Sequence, residues 1–233
     1  MDKKIGQIPF KAVLFDMDNT LFDLVHAKTE ACRMVTEKLG TGDAGELFSY
    51  FLRRQGGFDD PENIRDFMRD HSCYEGDLFM ECVLIYREGQ TWNLTLYPGV
   101  ESTLALLTSF GFSMGIVTDA HRADADLRLG AMGLSHYFDH VVTHEMTGAH
   151  KPSSLPFLLA LIRMNATAQE TLLVGDSPRR DIAPARAIGL TTVYAAYGDR
   201  FAGTRGEETP AHHTIHRPLD LLDLIPDPDA GTR

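Results

Sequence analysis

Cysteine is scarce in this chain: there are three among 233 residues, Cys32, Cys73 and Cys82, an odd number without metal-type spacing. That argues against a disulfide framework and against a zinc site, and leaves ordinary reduced thiols. Long apolar runs are lacking as well. Met1 to Ile8 carries Lys3 and Lys4 with no apolar stretch behind it, and no other run approaches the roughly 18 residues of a membrane span. The expectation is a cytoplasmic protein with no membrane partner. Basic residues are outnumbered, 22 Lys and Arg against 33 Asp and Glu, for a formal net charge of −11. Such a balance repels polyanions on average, so nucleic acid is not an expected partner, while small anions remain admissible. An acidic protein that handles a phosphate must supply compensating cations locally, from a metal, a lysine or aligned backbone donors.

What is present is ordinary for a globular chain. A hydrophobic content of 43% and a charged content of 24% fit a soluble fold. The length allows one large core, or one core with a smaller satellite. Four segments share a pattern of a short apolar run, then a small polar or acidic residue, then a helix-compatible stretch. They are Ala12–Phe15 before Asp16, Gly115–Val117 before Thr118, Val141–Val142 before Thr143, and Leu172–Val174 before Gly175 and Asp176, with Thr191–Tyr194 as a fifth strand. Near-continuous apolar runs of this length suit strands buried on both faces. Their alternation with helical patterns predicts an α/β fold, a doubly wound, Rossmann-like parallel sheet. Ligands in such sheets bind beyond the carboxyl ends of the strands, where Asp16, Thr118 and Asp176 fall.

Between about Leu24 and Leu96 the periodicity becomes helical. Val25, Ala31, Met34, Val35 and Leu39 form a stripe closed by Gly40, and further helices are expected over Glu46–Arg54, Glu62–His71 and Glu75–Arg87. The chain returns through Tyr97-Pro98-Gly99 to a helix over Val100–Phe110. The predicted organisation is a catalytic core of residues 1–22 and 97–233 with a smaller α-helical cap domain, residues 23–96, inserted as a hinged cover. The last residues, with Pro226, Pro228 and Gly231, read as a frayed tail.

Asp16 and Asp18 stand two residues apart directly after a buried strand. Phosphoryl transfer through a covalent enzyme needs one ionised carboxylate to attack, and a second to protonate the leaving oxygen and later deprotonate water. The same pair also reads as an acidic turn with an N-cap. Thr118 and Asp119 offer a hydroxyl and loop amides to a phosphoryl group, although helix capping is the simpler account of this segment taken alone. Lys151, ahead of Pro152, is either a surface lysine or the cation that a phosphate requires. Asp176 and Asp181 add two carboxylates, and gathering such charges without a cation is unfavourable by several kcal/mol at an effective dielectric of ~20. Mg2+, which takes oxygen ligands and is often held by one or two carboxylates plus substrate phosphate, meets that need through Asp16 and Asp176, with Asp181 supporting from behind.

The order of these segments, D-M-D-N-T-L at 16–21, a strand ending in Thr118, Lys151, and G-D-S-x-x-x-D at 175–181, resembles the haloacid dehalogenase superfamily over essentially the whole chain. The helical insert sits where that family places its cap. The resemblance is to the phosphatase branch, with phosphoglycolate phosphatase-like members, because the dehalogenases look different at the position of Asp18. It implies that Asp16 is nucleophile and metal ligand, Asp18 the acid/base and a ligand through its backbone carbonyl, and Asp176 the third protein ligand. Thr118, the amide of Asp119 and Lys151 would bind the phosphoryl group, Thr20 would hold the loop, and Asp181 would support the metal waters. The expected reaction is Mg2+-dependent hydrolysis of a small phosphorylated metabolite by a monomer or homodimer. A phosphomutase using the same motifs is the alternative, and a non-catalytic regulatory module a weaker one.

Other residues attract attention without a firm role. His212, His213 and His216 read as surface histidines rather than ligands, and His121, His144 and His150 lie near the rim loops. His26 and Lys28 read as a solvated helix face, with the leaving group as the alternative target. Arg53, Arg54, Arg65, Arg69 and Arg87 either meet a second anionic group on the substrate or balance acids of the insert.

Overall fold

The strand β1 (Ala12–Phe15) is buried at every position, as an apolar run in the middle of a sheet must be. β2 (Ser113–Thr118), β3 (His140–Thr143), β4 (Thr171–Gly175), β5 (Thr191–Ala195) and β6 (His213–Ile215) join it in one six-stranded sheet of order β3-β2-β1-β4-β5-β6. Every pairing is parallel, with Phe15 opposite Ile116 on one side and Val174 on the other. The first five are the strands read from the sequence. The computed structural model describes residues 10–53, 58–202 and 210–225. Arg54, the amino-terminal lysines and the tail around Pro226, Pro228 and Gly231 lie outside the described residues.

Contacts divide the chain into two units, one of Met1–Phe22 with Leu96–Arg233 and one of Asp23–Thr95. The inserted unit is helical: α1 (Leu24–Leu39), α2 (Ala44–Leu52), α3 (Glu62–Asp70) and α4 (Gly76–Trp92). Asp23 caps α1 by accepting from the His26 amide, and Gly40 ends it in the left-handed region at φ 66°. α2 begins two residues before the expected start because Asp43, not Gly45, supplies the cap, accepting from the Glu46 amide. α4 runs on past Arg87 to Trp92. The unit has its own core, with Val35, Phe51, Phe67 and Tyr86 among its buried side chains, and Cys32 and Cys82 are free thiols within it.

Lys28 is not on a solvated face. Its side chain is fully buried in the inserted unit, where Nζ donates to Asp59 Oδ1 at 2.6 Å and to the Phe58 carbonyl, and lies 3.9 Å from the centre of the Phe58 ring. Such a lysine occupies the buried phase of α1 because a carboxylate, a carbonyl and an aromatic face replace its water. Several of the arginines are occupied similarly. Arg53 stacks on Tyr50, Arg65 pairs with Glu62 and covers Phe79, and Arg69 covers Tyr74.

In the sheet unit α5 (Val100–Ser109), α6 (Arg122–Ala131), α7 (His144–Thr147), α8 (Leu155–Arg163) and α9 (Ala183–Ala187) connect the strands. Phe157, Ala160 and Leu161 of α8 pack with Leu14, Val117, Val142 and Leu173 in one apolar cluster of the sheet unit. The strand order runs outward in opposite directions from β1, so the crevice where connections diverge opens at the carboxyl end of β1. That is the position of Asp16.

Candidate active site

After β1 the chain turns at once. The Leu21 amide donates to the Met17 carbonyl at 3.0 Å, and Asn19 adopts φ 62°, a conformation that asparagine tolerates better than most residues. The turn folds Thr20 back against the nucleophile candidate. Thr20 Oγ1 donates to Asp16 Oδ2 at 3.3 Å and accepts from the Asp176 amide at 3.1 Å, so one fully buried hydroxyl joins the loops after β1 and β4. Tyr197 Oη donates to the Thr20 carbonyl at 2.9 Å.

Lys151 is buried, and its position decides between the two readings of it. Nζ donates to Asp16 Oδ1 at 2.5 Å, to Asp181 Oδ1 at 2.6 Å and to the Val117 carbonyl at 3.3 Å. Burial alone would lower its pKa, but the charges of Asp16 and Asp181 outweigh that and hold it above the ordinary lysine value. Asp119 aligns this segment from the neighbouring loop. Its Oδ1 accepts from the Lys151 amide at 2.9 Å and its Oδ2 from Arg180 Nη2 at 2.7 Å. Thr118 Oγ1 accepts from the Ala120 amide at 3.1 Å, the capping-type turn, with the hydroxyl buried at the end of β2.

Asp181 is carried on a single π turn, Pro178–Ile182, where the Ile182 amide donates five residues back to Ser177. Such turns are rare and re-aim side chains at functional sites. Asp181 Oδ2 accepts from the Ser177 amide at 3.0 Å. Gly175 makes the fit possible, since a Cβ there would lie 2.6 Å from that of Asp181. Asp16, Asp176 and Asp181 each bring one oxygen to within 4.8 Å of the others, the group among the described residues suited to a metal ion. Burial first, then the charges of Asp16 and Asp181, pushes the Asp176 carboxyl well above its ordinary value. Burial followed by the charge of Asp16 raises Asp181 to about 6. Lys151 and Arg180 only partly offset the three acids, and a hard divalent cation is what the surplus of carboxylate oxygen fits.

Asp18 stands apart from that group. Its carboxylate accepts from Arg128 Nη1, at 3.1 Å through Oδ1 and 3.0 Å through Oδ2. Arg128 went unnoticed in the sequence, although a signal exists: with Ala125 and Leu129 it occupies the buried phase of α6, where a lone arginine needs a partner. Arg180, Tyr97 and Tyr197 were also missed. The two tyrosine rings meet edge to face at 5.0 Å. Burial chiefly, then negative charge including that of Asp176, raises both hydroxyls above the usual tyrosine value. His121, His144 and His150 are brought into ring contact beyond β2 and β3, with His144 opening α7, His121 beside Glu145 and His150 3.7 Å from Asp119. His212 Nδ1 accepts from the Thr192 amide and serves the sheet edge.

Comparison with known proteins agrees with this arrangement. Residues 13–195 match the family model described as haloacid dehalogenase-like hydrolase. Ribulose-1,5-bisphosphate 5-phosphatase of Halopiger xanaduensis is 30% identical over 92% of this chain and 98% of its own. Glyceraldehyde 3-phosphate phosphatase of Methanopyrus kandleri is also 30% identical, over 92% and 97%. The crystal structure of a HAD phosphatase from Thermococcus onnurineus superposes with a TM-score of 0.66 at 27% identity, covering 92% of this chain and 97% of the other. With its parallel sheet, its inserted helical unit and its carboxylates gathered beyond β1 and β4, the chain belongs to the haloacid dehalogenase-like hydrolase family and is a phosphatase-type member of it.

Proposed function

We propose that this protein hydrolyses a small phosphate monoester with Mg2+ as cofactor, through a phosphoryl group carried covalently on Asp16. The observation that carries the proposal is the grip on Asp16: a buried carboxylate at the end of β1, one oxygen held by Lys151 at 2.5 Å and the other by Thr20 at 3.3 Å. Both contacts fix the orientation of an anion that has little water around it, as a nucleophile requires. The relatives named as phosphatases of small sugar phosphates support the substrate class.

An Asp16 oxygen attacks phosphorus as the bond to the leaving oxygen breaks, and that oxygen takes its proton from the Asp18 carboxyl. Water then attacks the aspartyl-phosphate and gives a proton back to Asp18. The bond to Asp16 breaks, releasing inorganic phosphate. Lys151 supplies positive charge to the transferring group, and the Thr118 hydroxyl and the Asp119 amide are donors for its oxygens. Asp16, Asp176 and the backbone carbonyl of Asp18 would hold Mg2+, with Asp181 behind them. The ion would neutralise charge on the phosphoryl oxygens when bound. Arg180 and Lys151, both tied to Asp119, keep the loops after β2, β3 and β4 in register.

Purified protein incubated with p-nitrophenyl phosphate and then with a panel of phosphorylated metabolites should release phosphate in Mg2+ and not in EDTA. Asp16→Asn should abolish turnover. Full activity in that variant, or isomerised product without phosphate release, would falsify the hydrolytic mechanism.

A further inference from the structure

We infer that Arg128 is a positioning residue for Asp18, fixing the carboxylate that exchanges protons with the leaving group and with water. This rests on the phosphatase reading above and adds a residue to it. Asp18 and Arg128 are 110 positions apart in sequence, yet Arg128 Nη1 lies 3.1 Å and 3.0 Å from the two carboxylate oxygens. A donor that reaches both oxygens anchors the end of the whole carboxylate rather than one oxygen alone. The pair is well shielded, the arginine side chain being 8% exposed and the aspartate 21%. An ion pair in that setting is held more strongly than one in open water.

The helix that carries Arg128 is itself fixed to the site. α6 begins three residues after Asp119, whose carboxylate grips the Lys151 amide and Arg180. The α6 amide of Arg122 donates to Glu145 Oε2 at 2.6 Å, tying the start of α6 to the first turn of α7. A phosphate loop and the acid/base are thereby held by one short helix. Asp18 also lies outside the group of Asp16, Asp176 and Asp181 suited to a metal ion. The guanidinium does not itself exchange a proton in the reaction. It sets where the Asp18 oxygens are when the bond to the leaving oxygen breaks.

Leaving groups of different quality separate this role from a merely structural one. An alkoxide must be protonated as it departs, whereas dinitrophenolate leaves as a stable anion. The ratio kcat/KM reports the steps through the first bond cleavage, so general-acid help counts for one substrate and not for the other. In Arg128→Gln, kcat/KM for an alkyl phosphate should fall about tenfold and that for dinitrophenyl phosphate less than about twofold, a part of the usual general-acid contribution. Arg128→Lys should recover part of the alkyl-phosphate loss, and it carries the same comparison if the glutamine variant fails to fold. Equal losses on both substrates, or no loss on the alkyl phosphate, would overturn the role of Arg128. The two readings fail separately. If wild-type protein turns over neither substrate, the phosphatase reading is lost, whereas equal losses in the variants leave that reading standing.

Discussion

Replacing Lys151 by methionine removes a cation and keeps the volume. The wild-type lysine lies within 2.6 Å of both Asp16 and Asp181, and the three acids Asp16, Asp176 and Asp181 present oxygens within 4.8 Å of one another. Two unit charges at 4.8 Å repel by about 3.5 kcal/mol at an effective dielectric of ~20. The variant can avoid that repulsion by protonating one more carboxyl, which at pH 7 costs about 4 kcal/mol for an aspartate of ordinary pKa. The cheaper route sets the loss, so metal-free Lys151→Met should be destabilised by about 3–4 kcal/mol at pH 7, within the range for breaking a buried ion pair. The sign of the pH dependence follows. The folded variant keeps a proton that the unfolded chain has released above about pH 4, so its stability falls as pH rises toward the raised folded value. Its deficit against wild type should therefore shrink by about 2–2.7 kcal/mol between pH 7 and pH 5. Urea unfolding of both proteins in EDTA at the two pH values measures this. A loss under about 1 kcal/mol at pH 7, or a deficit unchanged at pH 5, would refute the charge accounting.

Two further expectations rest on other parts of the site. A Cβ at Gly198 would lie 1.7 Å from the Asn19 carbonyl oxygen, half the 3.4 Å at which ordinary contact begins, and 3.2 Å from Asp176 Cβ. Gly198→Ala should cost about 1–3 kcal/mol of stability and, by displacing the loop between Asp16 and Thr20, reduce kcat by up to about 100-fold. Wild-type melting and turnover together would show that the loop yields freely. Mg2+ at 100 times its Kd should stabilise the protein by about 2.7 kcal/mol, and the affinity should weaken as pH falls through about 6, where Asp181 takes up a proton. Calorimetric titrations across that range test it, and a pH-independent affinity would remove Asp181 and Asp176 from the proton-linked group.

Much of this was legible before any coordinates because it is written locally. Ala12–Phe15 and Leu172–Val174 are apolar runs that only a buried strand accommodates, and parallel strands bring the residues after them to one edge. The positions of Asp16, Thr118 and Asp176 at a common rim, and the helical character of the insert, follow from periodicity and strand polarity alone. The family resemblance also marked Lys151, although only its contacts with Asp16 and Asp181 distinguish a buried cation from a solvated one. Tertiary structure decided the partners that depend on strand register and helix rotation. Those are Arg128 on Asp18, Gly198 under Asn19, Tyr197 on Thr20 and the burial of Lys28 against Asp59. A charged residue on a helix reads as solvated until the element opposite it is known, because desolvation and pairing are properties of the two together. The sequence by itself determined which acids line the rim of this hydrolase, and the fold determined which cation each one meets.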